Sequence, residues 1–136
     1  MSAHAYSPPT EEMRAARSRK TIVVVDDLKD LLDVTAMLLQ GEGYSVRVAG
    51  DGETGLRLAQ ECEADLVLLD HLIPGMSGAD VGRALRAGRG KRTKIVMSSA
   101  TPLSEIESDF DDYDEFLKKP VPPADLLEIV AHLLEV

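Results

Sequence analysis

Asp65-Leu66-Val67-Leu68-Leu69-Asp70-His71-Leu72-Ile73-Pro74-Gly75-Met76-Ser77-Gly78 is the stretch that decides the fold. An unbroken aliphatic run framed by acids has strand length and no alternation, so Asp65–Leu69 reads as a strand buried on both faces. Pro74 and Gly75 turn the chain, and Ser77 can cap a helix that runs to about Gly88. A strand with no wet face belongs inside a parallel sheet covered by helices on each side. Asp70 then lies at the carboxyl edge of that sheet, where open α/β sheets build their sites.

The same strand-then-helix alternation runs outward in both directions. Upstream, Thr21–Val25 is a β-branched strand, and Leu28, Leu31, Leu32, Thr35, Leu38 and Leu39 follow helical spacing until Gly41 and Gly43. Ser45–Ala49 is a second strand, after which Asp51 caps a helix with Gly55, Leu58, Ala59 and Cys62 on its inner face. Downstream, Lys94–Ser98 and Tyr113–Leu117 are strands, separated by a weak helical segment bearing Leu103, Ile106 and Phe110. Pro122 and Pro123 open a last helix with Leu126, Ile129, Val130 and Leu133 on one face, and Leu127 and Leu134 widen it toward a contact surface. The expectation is a doubly wound α/β domain, a five-stranded parallel sheet with helices on both faces, over residues 21–136. Residues 1–20, small, polar and Pro-containing, read as a flexible N-terminal tail.

Charge narrows the function. The 136 residues carry a net −9, and the first twenty hold +2 (Arg14, Arg17, Arg19 and Lys20 against Glu11 and Glu12), which leaves −11 for the rest. Such a surface argues against gripping nucleic acid through its phosphates and suits a cation or a basic protein partner. No apolar run approaches the roughly 20 residues of a membrane span, and the N-terminus lacks the hydrophobic stretch of a secretory signal. Cys62 is the single cysteine, which excludes an internal disulfide and fits a reducing cytoplasm.

The chemistry is written in the strand ends. The first strand leads into Asp26 and Asp27, the third into Asp70, the fourth into Ser99 and the fifth into Lys119-Pro120. Three carboxylates on one rim repel unless a cation intervenes. Oxygen donors without His or Cys suit a hard ion, and few protein ligands with room for water suit Mg²⁺. A metal held this way can share a phosphoryl group, a carboxylate can attack it, and an ammonium and a hydroxyl can bind its oxygens.

With those residues in place, the chain resembles the receiver domain of bacterial two-component response regulators over residues 21–136. The resemblance rests on Asp26-Asp27 after TIVVV, Leu68-Leu69-Asp70 with Ile73-Pro74-Gly75-Met76-Ser77-Gly78, Ser99-Ala100 and Lys119-Pro120. It implies a flavodoxin-like strand order 2-1-3-4-5 and a chemotaxis-regulator-like fold. It implies Asp70 as phosphoacceptor, and Asp27, Asp70 and the Leu72 carbonyl as direct Mg²⁺ ligands, with Asp26 acting largely through water. Lys119, before a cis Pro120, would contact the phosphoryl group, while Ser99 and Phe116 would form the switch. The implied partners are a sensor histidine kinase or histidine phosphotransfer protein and a downstream protein target, with neither nucleic acid nor membrane. Self-phosphorylation and dephosphorylation would be its only catalysis.

Plainer readings stand beside these. Asp26 or Asp27 can cap a helix, His71 reads as structural or partner-facing because strand neighbours point to opposite faces, and Cys62 reads as inert core. Departures from the family pattern are Ile73 in place of the usual Met, Ser77 in place of an acid, and Asp112-Tyr113 in place of Gly-Ala. Seven acids between Glu105 and Glu115 weaken any helix there. A haloacid-dehalogenase-like phosphatase would want an acid where Leu72 stands, and a flavin site would be repelled by Asp26, Asp27 and Asp30. A receiver-shaped scaffold that takes no phosphate is the remaining alternative. The end at Val136 leads to the expectation that no output domain follows, so that the domain acts by contact or is a fragment of a larger regulator or hybrid kinase.

Overall fold

In the computed structural model, which describes residues 6–88, 92–100 and 110–136, the chain begins with helix α1 (Glu11–Arg17). Five strands follow, β1 (Thr21–Val25), β2 (Ser45–Ala49), β3 (Leu66–Asp70), β4 (Lys94–Ser99) and β5 (Glu115–Lys118). Helices α2 (Lys29–Gly41), α3 (Gly52–Glu61) and α4 (Gly78–Ala87) connect the first four, and α5 (Pro123–Leu134) closes the chain. All strand pairs are parallel, in the order β2-β1-β3-β4-β5, which is the expected topology. The weak helical segment lies outside the described residues up to Phe110, which is itself buried.

Two apolar layers sandwich the sheet. Ile22, Val24, Leu66, Leu68, Val96 and Leu117 face α2 and α5. Val23, Val25, Val67, Leu69, Ile95 and Met97 face the other side, with Ala59 of α3 and Val81 of α4. This alternation along strands that are apolar throughout gives each face its own core. Cys62 is half-buried against the second layer, and burial pushes its thiol pKa up, so the neutral thiol is favoured.

Helix starts follow the side chains that can accept backbone N–H groups. Asp51 accepts from the Thr54 N–H at 2.8 Å, and Ser77 forms a reciprocal capping box with Asp80. Neither Asp26 nor Asp27 caps α2, whose N-cap is Leu28 with no side-chain bond; Asp26 instead folds its Oδ1 onto the Leu28 N–H at 3.0 Å.

Several boundaries and faces differ from the sequence reading. β3 starts at Leu66 because the Asp65 carboxylate accepts the Thr21 N–H at 2.7 Å. β5 starts at Glu115 because the Asp114 carboxylate takes the Ile95 N–H (2.7 Å) and the Arg86 guanidinium (2.8 Å). Leu28 and Leu31 point outward, and with Val34 and Met37 they make an exposed apolar stripe, so Leu32, Ala36 and Leu39 are the inner face of α2. On α5 the widening residue Leu134 is core, not contact surface.

The N-terminal segment is the main correction. Residues 11–17 are helical, capped by Thr10 on the Met13 N–H at 3.1 Å. Glu11 and Glu12 sit in the first turn, and Arg14 and Arg17 in the last, as the helix dipole favours. Arg17 is 5% exposed and bonds the Glu42 carbonyl (3.0 Å), the Glu42 carboxylate (3.1 Å) and the main-chain oxygen of Val136. Its guanidinium also lies 5.0 Å from the centre of the Tyr44 ring. Tail composition misled because the anchoring residue is a charge, invisible to an apolar period.

Candidate functional site

Three parallel strands carry the site to one edge. β1 ends at Val25 and delivers Asp26, β3 ends at Asp70, and β5 ends at Lys118 and delivers Lys119. Carboxyl oxygens of Asp26, Asp27 and Asp70 lie within 4.8 Å of one another. Lys119 Nζ stands 2.8 Å from Asp26 Oδ2 and 3.3 Å from Asp70 Oδ2. Asp26 and Asp70 are buried, at 6% and 8% exposure, while Asp27 is exposed. The Leu72 N–H donates to Asp70 Oδ1 at 3.3 Å, so both Asp70 oxygens have partners. The Lys119–Pro120 peptide is cis, as expected.

Electrostatics in this pocket are unbalanced. Three carboxylates face one ammonium, leaving two negative charges in surplus, with Asp26 and Asp70 buried and Asp27 exposed. Burial, and then the charge of Asp26, raise the Asp70 pKa above its usual value of 3.8 against the pull of Lys119. For Lys119, burial works to lower the pKa, but the bond to Asp26 and the charge of Asp70 outweigh it, and the net shift is upward. The donor set is oxygen only, close enough for one small ion and open on the Asp27 side. These residues fit Mg²⁺, which keeps several waters and neutralises like-charged carboxylates.

Ser99 and Phe116 fall on one face of the sheet. Phe116 pairs with Met97, and Ser99 follows two residues later on that strand. Ser99 is 1% exposed. Phe116 is half-buried in an aromatic row, its ring 6.2 Å from that of Tyr113, which is 6.3 Å from Phe110. Directly across from Asp70 stands Ser98, a residue the sequence reading passed over. Only strand register identifies it. His71 is half-buried and ties the backbone, its N–H donating to the Ser98 carbonyl and its carbonyl accepting from Gly78, both at 3.0 Å. Its Nδ1 is buried without a partner among the described residues. Leu72 is 64% exposed.

An apolar cavity of about 420 Å³ opens from this rim between α2 and α5, with Leu31, Val34, Leu38, Leu117 and Leu126 among its walls. Among the described residues, no helix is long and apolar enough to cross a membrane.

Fold and site together define a doubly wound α/β domain with an acidic, single-lysine pocket at its carboxyl edge. Residues 22–131 match the response regulator receiver domain, and the chain belongs to that family. It is 41% identical to the DNA-binding response regulator MtrA of Mycobacterium tuberculosis, the match covering 80% of this chain and 48% of that protein. It is 32% identical to the sensory transduction protein RegX3 of Mycolicibacterium smegmatis, over 84% of this chain and 50% of that one. The chain thus spans about half the length of the curated relatives it matches. Among solved structures, the Vibrio cholerae chemotaxis protein CheY4 superposes with a TM-score of 0.77 at 27% identity, over 84% of this chain and 98% of that one. A CheY-like receiver domain from Methanospirillum hungatei gives 0.72 at 31% identity, over 85% and 94%.

Proposed function

We propose that the chain accepts a phosphoryl group on Asp70 from a histidine kinase or histidine phosphotransfer protein and signals through the resulting change in its surface. The observation that carries this reading is the meeting of Asp26, Asp27 and Asp70 with Lys119 in one net-negative pocket that is open on the Asp27 side. Asp27 and Asp70, with the Leu72 carbonyl and with Asp26 behind them, would hold Mg²⁺, which supplies charge neutralisation for the incoming phosphoryl oxygens. An Asp70 carboxylate oxygen attacks phosphorus, the O–P bond forms as the donor's P–N bond breaks, and the donor imidazole keeps that electron pair. The Leu72 N–H fixes the rotation of the Asp70 carboxylate. Lys119, already at bonding distance from Asp70, would transfer its contacts to the new phosphoryl oxygens. Ser99 would turn to a phosphoryl oxygen and Phe116 would fill the space it leaves, a two-state change biased by charge-assisted hydrogen bonds.

On this reading the domain catalyses only its own modification, works in the reducing cytoplasm, and passes its signal to a protein target. DNA binding, printed in the name of MtrA, is said of that longer protein; the acidic surface here favours protein contact. Incubation with Mg²⁺ and acetyl phosphate should add one phosphoryl group by intact mass, and Asp70→Asn should add none. An adduct surviving in Asp70→Asn, or none on the parent chain with any donor, would sink the assignment.

A further inference from the structure

The loop that follows Asp70, residues 71–77, is clamped between the starts of two helices. At its far end, Gly78 admits no side chain: a Cβ there would lie 2.6 Å from the Asp70 carbonyl oxygen and 2.8 Å from His71 Cα. In its middle, the loop rests on Gly52, the first residue of α3. A Cβ on Gly52 would fall on the Met76 carbonyl oxygen, with Met76 Cβ at 2.9 Å and the Met76 carbonyl carbon at 3.0 Å. The Gly52 N–H also points to the Pro74 carbonyl, at 3.4 Å.

Neither side of the Gly52 contact can yield cheaply. The start of α3 is held by the Asp51 carboxylate, which takes the Thr54 N–H (2.8 Å) and hydroxyl (3.0 Å). The Met76 atoms are largely main chain, next to the Ser77–Asp80 capping box that starts α4. Gly75 turns between them at a positive φ of 74°. A displaced Met76 therefore moves the loop itself, whose Pro74 and Gly75 are exposed and which leads back to Leu72, whose N–H sits on Asp70 Oδ1.

We propose that Gly52 is a positioning residue for the Asp70 site: its missing side chain lets the 71–77 loop seat on α3 and sets Leu72 against the Asp70 carboxylate. This rests on the reading of Asp70 as a metal-binding phosphoacceptor. Site geometry has to be held to about 0.5 Å, and an overlap of this size displaces the loop by a comparable amount. The competing role, packing alone, would lower stability without touching the site. Gly82 on α4 supplies that comparison, since the three atoms nearest to a Cβ there, the first at 2.6 Å, all belong to the Phe110 ring.

The test is a Mg²⁺ titration of the full isotope-labelled chain by amide NMR, beside thermal unfolding and acetyl phosphate kinetics. Gly52→Ala should raise the Mg²⁺ Kd about tenfold and slow phosphorylation at subsaturating Mg²⁺, with recovery at saturation. Gly82→Ala should lose thermal stability and keep the parent Kd. A folded Gly52→Ala with a Kd within about twofold of the parent overturns the proposal. The parent chain alone gives a second measurement: Mg²⁺ should shift the amide signals of Gly52 and Met76 with the Kd seen at Leu72, and unmoved Gly52 and Met76 signals overturn it. A parent chain that binds no Mg²⁺ and takes no phosphoryl group instead overturns the reading of Asp70 itself.

Discussion

Two buried cation–carboxylate clusters sit at opposite ends of the same sheet. At the amino edge, Arg17 meets Glu42, and the surplus hydrogen-bonding capacity is used up by neighbours. Main-chain oxygens of Glu42 and Val136 accept from Arg17, the Tyr6 hydroxyl donates to the Glu42 carboxylate, and the Tyr44 hydroxyl donates to Val136 at 3.2 Å. At the carboxyl edge, Lys119 meets Asp26 and Asp70, with Asp27 beside them. Counting side chains, the first cluster is one charge against one. The second is one against three. The same two kinds of group make a staple where the count is balanced and a reactive site where it is not, because an uncompensated buried carboxylate is costly until a cation or a proton joins it.

The largest effect should come from breaking the balanced cluster. Arg17→Ala leaves Glu42 buried without its ion-pair partner and frees α1, and it should lower stability by about 3–5 kcal/mol in denaturant unfolding. Mg²⁺ affinity should stay at the parent value, and a loss of affinity there would break the separation of the two ends. Next comes Lys119→Met, which deepens the imbalance. Phosphorylation by acetyl phosphate should slow by about 100-fold or more, while Mg²⁺ binding is kept or strengthened. An unchanged phosphorylation rate would remove Lys119 from the reaction.

The smallest effect is in the pH dependence of the metal-free chain. Asp70 is held above its usual value by burial, so the folded chain binds that proton more tightly than the unfolded chain does. Its ionisation therefore lowers stability as pH rises past 3.8 toward the folded value, and the penalty is absent below 3.8. Mg²⁺ relieves the ionised form only. The metal-induced rise in Tm should grow between about pH 4 and pH 7; a rise independent of pH would show that Asp70 does not hold the ion.

How much of this was legible depends on how local the signal is. The strand cores, the helix starts at Asp51 and Ser77 and the strand-end positions of Asp26, Asp70 and Lys119 were all readable, since apolar runs and capping residues act within a few positions. Leu28 and Leu31 were misleading, because helical spacing shows that a stripe exists but not which of its edges the sheet covers. Gly52 carries no signal in the sequence, as the reason for its lacking a side chain lies at Met76. α1 was lost in a polar tail, its anchor being a charge.

By itself, the sequence determined a parallel five-stranded α/β domain and the residue type at each strand end, because periodicity and chain order suffice for both. Tertiary structure alone decided that Ser98 is the register partner of Asp70, that α2 turns an apolar stripe to solvent, and that Arg17 closes on Val136. The last contact spans 119 positions. A polar contact that far apart in the chain leaves no repeat to read, and only the packed sheet brings its two ends together.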